Sequence, residues 1–418
     1  MKGACPGLCG LAATLTGVGI GRFAYVAILP LLVVQHWFSR QQAQWLGAAN
    51  LTGYFVGIGV AALLLRRMAP ASIVRLAMLL VSLSFFACGW QGGGIGWFLC
   101  WRTVAGACGA ILMVQAPVLI LPATAVARRG RVGGVIFSGV GLGIVAAATV
   151  VPLLVRQGLA TTWLTLGGLC LCMTVASWGF WGRAVAPTAA PTPAAPQRGF
   201  ALPRLPAPIL LLLLAYALNA IGYLPHTLFW ADYLHTELHR PLAHAGFFWA
   251  CFGVGAACGP YLTGLAADRI GLGPALLIGF SIKAFGVALP LLAQGDGALL
   301  VSSVLVGFFS PGIVGVASSY ALELGGASQH RRYWTVMNIG FSLAQAGGAS
   351  LMVALMAGRA SYDLLFMIST GALLLSSGCI ALIICRSEVE CQPGIALKAQ
   401  NETGPLWPSR QRETWPDR

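Results

Sequence analysis

Carboxylates are what this chain of 418 residues has least of. Eleven Asp and Glu stand against 25 Lys and Arg, and charged residues of both signs make up only 9% of the sequence. A soluble domain carries about a quarter charged residues, so an ordinary water-soluble fold is excluded. No cluster of acid pairs or carboxylate-rich metal ligands is visible in the sequence. The 12 cysteines include no CxxC pair, which argues against a zinc ribbon or a dithiol redox centre. No G-x-x-x-x-G-K-[ST] run occurs, so the sequence encodes no P-loop, and none of its glycine clusters follows a strand and precedes a ribose-binding acid. His235, His239 and His244 straddle a loop with Pro241 and lack the spacing of a metal site. No cofactor or metal is expected.

What is present is apolar length. The chain is 58% hydrophobic with a mean hydropathy of +0.81. From Gly7 to Cys385 it divides into about a dozen stretches of roughly twenty residues, the length that spans a bilayer. The first continues past the length of a signal-peptide core and contains Arg22, so it reads as a span and not as a cleavable signal. Spans are expected near 8–34, 43–65, 73–92, 96–121, 133–156 and 161–182, then 208–233, 243–266, 274–293, 297–321, 333–357 and 362–385. Arginines collect in alternate gaps: Arg66, Arg67 and Arg75; Arg128, Arg129 and Arg131; Arg183, Arg198 and Arg204; Arg269; Arg331 and Arg332; Arg386. The other gaps hold Arg40, Arg156, Arg240 and Arg359 singly or none at all. Positive residues stay inside during insertion. The chain is therefore expected to be a multi-pass protein of the cell inner membrane, with both termini cytoplasmic. Its net charge of +14 then serves topology and contact with anionic headgroups, and no nucleic-acid partner is expected.

The fold class expected is an all-α integral membrane protein, with twelve transmembrane helices in two pseudo-symmetric six-helix bundles. The first bundle covers 1–182 and the second 208–386. A Pro/Ala-rich cytoplasmic linker at 183–207 (PTAAPTPAAP) and a disordered tail at 387–418 complete the chain. The halves align as Ile20-Gly21-Arg22 with Ile221-Gly222-Tyr223, as Leu99 through Gly106 with Leu300 through Gly307, and as Gly53 and Gly59 with Gly253 and Gly259. Parallel six-helix repeats of this kind are a transporter architecture with the site between the halves.

Several motifs carry a resemblance. Gly264-Leu-Ala-Ala-Asp268-Arg269-Ile-Gly271 resembles the G-x-x-x-D-R-x-G loop signature of the major facilitator superfamily, in its second-half copy. Phe98-Leu-Cys-Trp-Arg102-Thr-Val-Ala-Gly106-Ala-Cys-Gly109 is similar to that superfamily's helix-4 motif. Gly19 through Tyr25 with Leu29-Pro30 resembles the first helix of its YbfB/YjiJ-type branch. The first-half loop, Leu65 to Pro70, lacks the aspartate, and the fifth span has Gly139-Val-Gly-Leu-Gly143 without the Gly-Pro of drug–proton antiporters. The resemblance implies a secondary carrier that needs no enzyme chemistry. It assigns Gly264, Asp268, Arg269 and Gly271 to gating.

Charge inside hydrocarbon is costly and marks function by default. Arg22 and Arg102 fall at one level of the bilayer, as judged from a rise of about 1.5 Å per residue, and together would suit a carboxylate or phosphate. The alternative for each is a structural bond to helix carbonyls. Lys283 lies on the ninth span, which the resemblance places outside the cavity. Neutral polar and aromatic candidates for the substrate site are Tyr25, Gln115, Asn219, Tyr223, His226, Asn338 and Gln345, any of which could equally join helices. Asp232, near the end of the seventh span, is the candidate for proton coupling, with a solvated helix end as its alternative. The function expected is a proton-coupled carrier of a small solute, tilted toward an organic anion and acting as a monomer. Export of hydrophobic compounds, a membrane sensor and a membrane-embedded enzyme are the alternatives.

Overall fold

Hydrocarbon offers no water to the backbone, so each N–H and C=O in a spanning segment must be satisfied within it. The apolar stretches accordingly fold as helices. The computed structural model describes residues 6–183, 205–357 and 361–402, and among these no strand occurs. Helix α1 runs through Pro6–Thr14, a π-helical stretch at Leu15–Ala24 and Tyr25–Val34. Then follow α2 (Arg40–Leu64), α3 (Pro70–Cys88), α4 (Gly94–Ile120), α5 (Arg129–Val155) and α6 (Leu159–Arg183). In the second half α7 comprises Ala207–Gly222 and continues through Pro225–Phe229, Trp230–Asp232 and Tyr233–Glu237, two of these segments being π-helical. Helices α8 (Leu242–Ile270) and α9 (Leu272–Leu292) meet at Gly271, whose φ of 92° and ψ of 155° suit glycine almost alone. Asp296–Ala357 is a single hydrogen-bonded run broken at Gly326 (φ 70°, ψ 170°), giving α10 (296–325) and α11 (327–357). Last comes α12 (Tyr362–Glu402).

Eleven of the described helical runs are long and apolar enough to cross a membrane, and the 61-residue run Asp296–Met356 among them holds two spans. The expected spans thus recur, with three differences at their ends. The loop expected after 321 is absent because Gly326 alone reverses the chain. Helix α8 reaches Ile270 because Gly271 alone makes the turn to α9. The tail expected to be disordered from 387 continues α12 as helix to Glu402; extending an existing helix adds one bond per residue fixed, without a new nucleus. Most of the 183–207 linker, and residues 403–418, lie outside the described residues.

Backbone contacts give the register of the two halves. In the first, a Cβ on Gly53 would meet the Thr103 carbonyl, one on Gly57 that of Ala107, and one on Gly106 that of Asn50. In the second, Gly255 lies against Val304, Gly259 against Phe308 and Gly307 against Phe252. Gly106 and Gly307 are therefore equivalent, as expected. The expected pairing of Gly53 with Gly253 is two residues out of register: the contacts pair Gly53 with Gly255 and Gly57 with Gly259. Small residues at such crossings let helices approach to backbone distance in lipid. A Cβ on Gly59, by contrast, would meet nothing within 4 Å.

Gly106→Val should therefore force α2 and α4 apart, at a cost of about 1–3 kcal/mol or more. Gly59→Ala should be neutral. Thermal unfolding of the purified protein in detergent checks both, and equal midpoints for the two variants would refute the tight crossing.

Candidate functional site

Between the halves, the geometry differs from one end of the bundle to the other. At the end where the arginines collect, the halves are bonded together. Asp268, at the end of α8, accepts hydrogen bonds from the backbone N–H groups of Gly130 (2.7 Å) and Arg131 (3.0 Å) at the start of α5, and the Arg131 side chain lies 3.7 Å away. A carboxylate there satisfies orphan amides and complements the helix dipole. The approach needs small residues on both sides, since a Cβ on Gly264 would overlap the Gly130 carbonyl. The Ser319 hydroxyl donates to the Arg129 carbonyl (3.2 Å), and Trp334 Nε1 to the Met113 carbonyl (3.3 Å). Helices α5 and α8 stay in contact past Gly141 and Ala256 as far as Ile144 and Gly253. A cleft of about 160 Å³ opens between α1, α5 and α8, lined by Phe23, Val26, Ala27, Ile144, Ala147 and Trp249. Among the described residues, the side-chain hydrogen bonds that join the halves all lie toward the arginine-rich end.

Arg22 directly precedes Phe23, one of the α1 residues lining this cleft. It is half-buried, its guanidinium is 5.6 Å from the centre of the Phe23 ring, and no carboxylate pairs with it among the described residues. It lies within electrostatic reach of the phenols of Tyr54 on α2 and Tyr223 on α7, so both halves contribute to its surroundings. In the expected alignment of the halves, Tyr223 is the counterpart of Arg22. The Tyr223 hydroxyl accepts from Gln345 Nε2 on α11 (2.6 Å). Behind it the rings of Tyr223, Phe341, Tyr216 and Trp334 form a continuous aromatic wall with centroid spacings of 4.9–6.3 Å. π-Helical segments interrupt both α1 and α7. Such segments insert an extra residue, disturb regular carbonyl pairing and recur at functional sites.

Arg102 is not part of this opening. It is 1% exposed and turned into its own half, where Nη1 donates to the Gly21 carbonyl in the π segment of α1 (3.0 Å) and the guanidinium lies 4.4 Å over the Tyr25 ring. The expected pairing of two guanidiniums on one ligand is thus corrected. Arg102 holds the turn that presents Arg22, because an irregular helix carbonyl inside hydrocarbon needs a donor. Tyr25 is buried with it and ties α1 to α2 through a bond to the Ala43 carbonyl (2.7 Å).

The other expected residues divide in the same way. Tyr223 and Gln345 stand with Arg22. His226 is fully buried in the second half, bonded to Ser302 (2.8 Å) and stacked on Trp230 at 4.3 Å. Asn338 is buried and donates to the carbonyl of Trp334 one turn back (2.8 Å). Gln115 is buried with Oε1 unpartnered. Asn219 accepts from Lys283 Nζ (2.8 Å). Asp232 is exposed at the opposite end, bonded to Tyr362 and to Thr236, about 14 Å along the axis from Tyr223 at helical rise. Of the gating set, Gly264 and Asp268 touch the other half and Gly271 makes the turn, while Arg269 is exposed. Sequence reasoning did not single out Tyr54, Tyr216 or Phe341. Their signal was an aromatic on a cavity-lining helix near a glycine crossing, which ordinary packing also produces.

The profile of the MFS_4 family, described as an uncharacterised MFS-type transporter YbfB, matches residues 14–382. No curated protein matches the sequence. Among solved structures, a bacterial homologue of the iron transporter ferroportin in an outward-facing state aligns with a TM-score of 0.69 at 18% identity, covering 91% of this chain and 98% of that one. The proton:xylose symporter XylE, bound to 6-bromo-6-deoxy-D-glucose, aligns with a TM-score of 0.69 at 14% identity, covering 88% and 94%. At these identities the likeness shows the fold. The chain belongs to the MFS_4 family of major facilitator transporters, and is a membrane transporter built from two six-helix bundles.

Proposed function

We propose that this chain carries a small organic anion by alternating access, with Arg22 as the charge that holds the substrate. The reading rests on one observation above the others: a half-buried guanidinium with no carboxylate partner among the described residues, within electrostatic reach of a phenol from each half. An arginine at the bilayer centre costs about 2.5–3.5 kcal/mol on insertion scales, and an anionic ligand offsets that cost. The guanidinium fork takes a carboxylate in bidentate fashion, and the phenols of Tyr54 and Tyr223 supply further hydrogen bonds. The cleft above the site is apolar, lined by Phe23, Val26, Ile144 and Trp249. A carboxylate with an aromatic or other apolar body therefore fits better than a sugar or a naked inorganic ion. A lipophilic cation would meet the Arg22 charge without compensation, which sets hydrophobic cation export second.

In this reading the arginine-rich ends face the cytoplasm, the membrane is the cell's inner membrane, and the arrangement is outward-facing, with Asp268 latching the cytoplasmic side. A proton gradient drives the cycle, and the carrier works as a monomer. Asp232, exposed and held by Tyr362 and Thr236, fits a helix-end role better than proton coupling.

Counterflow in proteoliposomes, with phthalate, succinate, inorganic phosphate and a lipophilic cation as probes, tests the substrate class. Phthalate should exchange best. Arg22→Gln should weaken its apparent affinity on the order of 100-fold, as expected for loss of a charged hydrogen-bonding partner in a desolvated site. Arg22→Lys should retain part of it, because the charge survives without the fork. Exchange of phthalate by Arg22→Gln at wild-type affinity would remove Arg22 from the site.

The latch has its own test. Asp268→Asn keeps an acceptor oxygen but loses the charge at the α5 terminus, an interaction worth about 0.3–2 kcal/mol. With native cysteines replaced, a thiol placed at Ser319 should react several-fold faster with a water-soluble alkylating reagent in the Asp268→Asn background. An unchanged rate would show that Asp268 does not hold the halves together.

A further inference from the structure

Lys283 is the most deeply buried cation that the site above does not use. It stands eleven residues into α9, about 17 Å along the axis at helical rise and so near the middle of a hydrocarbon core about 30 Å thick. Its exposure is 0%. Nζ donates to Asn219 Oδ1 at 2.8 Å and lies 4.6 Å over the Tyr223 ring. No carboxylate pairs with it among the described residues. An ammonium carries three donors, and here one oxygen and one ring face serve all three. The Asn219 amide nitrogen is itself unpartnered.

The surroundings of Lys283 are neutral on every side. From α7, Tyr223 faces it directly, and the His226 ring lies within its electrostatic reach, bonded to Ser302 of α10. The acidic groups of α10 and α12 stand toward the helix ends, Glu323 with Tyr320 at one end and Asp296 and Asp363 with Tyr362 at the other, while the Cys379 thiol of α12 lies nearer, two residues from Ser377, which Ser281 of α9 bonds (3.2 Å). On α8, Asp268 is committed to the α5 terminus, and Cys251 and Cys258 make no ion pair with it.

The two partners of Lys283 flank a break in the neighbouring helix. Asn219 lies in the last turn of the regular segment of α7, and Tyr223, at φ −117° and ψ 6°, begins the irregular one before the π turn at Pro225. Lys283 itself sits on the uninterrupted helix Leu272–Leu292. Motion of α7 about this break moves one of these partners relative to the other, so the ammonium cannot keep both contacts unchanged. The same Tyr223 hydroxyl is bonded to Gln345, and the phenol lies within electrostatic reach of Arg22. Unlike a guanidinium, which stays charged, a lysine can give up its proton.

We propose that Lys283 carries the coupling proton, reporting through Tyr223 and Asn219 whether Arg22 is occupied. This deepens the anion-carrier reading and rests on it for the identity of the co-transported solute. A proton taken from the compartment facing the open cleft binds Nζ, and the ammonium and the Arg22 guanidinium are both charged while the anion is held. After α7 rearranges and the anion leaves to the other side, Nζ releases the same proton there. The empty carrier returns with neutral Lys283 and one charge fewer inside the membrane. Each cycle moves one proton with each anion in the same direction.

The test uses full-length protein in proteoliposomes, with phthalate as the probe and Lys283→Met and Lys283→Gln as variants, each accepted only if it elutes as a single monodisperse species. An imposed pH gradient should make the wild type accumulate phthalate above its equilibrium ratio. The variants should still exchange phthalate, but their accumulation should fall to that ratio. A substrate-free readout runs in parallel, with native cysteines replaced and a thiol introduced at Val26, on the wall of the cleft. Its alkylation rate should vary with pH in the wild-type background and lose that variation in the Lys283 variants. Uphill accumulation by either variant, or pH-dependent alkylation retained in it, would overturn the proposal, as would a wild type that shows neither pH effect. If the wild type exchanges none of the probes while the alkylation result holds, the proton site stands and the anion reading fails.

Discussion

A positive charge held in hydrocarbon without a negative one beside it is the constraint on which the rest of this structure depends. Arg22 stands half-buried on α1, within electrostatic reach of a phenol from each half and with no carboxylate pairing with it among the described residues. Such a charge is tolerable where water or an anion reaches it. The seam is bonded at one end and a cleft opens at the other, and in the proposed reading that cleft meets this requirement. The remaining features near the site maintain it. Arg102 braces the irregular turn before Arg22, Tyr25 fastens that turn to α2, and the wall from Tyr223 to Trp334 shapes the opposite face.

The two halves share a backbone plan and differ in chemistry. The crossings of α2 with α4 and of α8 with α10 repeat glycine for glycine. At the equivalent place on the first helix, however, one half presents a guanidinium and the other a phenol. Each half also buries a cation behind that position, Arg102 in the first and Lys283 in the second. The first is a group that stays charged and serves geometry; the second can exchange a proton. The latch is similarly one-sided. Asp268 binds the start of α5, whereas the first-half loop carries no aspartate to do the same for α11. Shape is symmetric in this carrier, and charge is not.

Much of this was legible in the sequence because it depends on length and sign. Apolar runs of bilayer length, arginines in alternate gaps and the Asp268 loop pattern gave the spans and the division into halves. The Asp268 pattern also marks the place where α8 meets the start of α5. The register between α2 and α8 was misread by two residues, because glycines four and six apart offer more than one alignment and only the backbone contacts choose among them. Arg102 was placed beside Arg22 by depth, but depth along a helix says nothing about which way a side chain turns. Its direction is set by the π segment of α1, a departure from helical period that no composition signals. Lys283 lies on a span that the resemblance places outside the cavity; its side chain nevertheless reaches Asn219 of α7. Asp232 looked informative because acids are rare here, yet its partners Thr236 and Tyr362 hold it at an exposed helix end.

The central claim concerns where an anion rests, and the most direct measurement is a structure of the protein soaked or co-crystallised with 4-bromophthalate, located by the anomalous signal of bromine. The account predicts a carboxylate forked against Arg22 between Tyr54 and Tyr223, with the brominated ring directed toward Phe23 and Trp249. A ligand bound away from the seam, or an Arg22 side chain turned into its own bundle while the ligand is present, would contradict it.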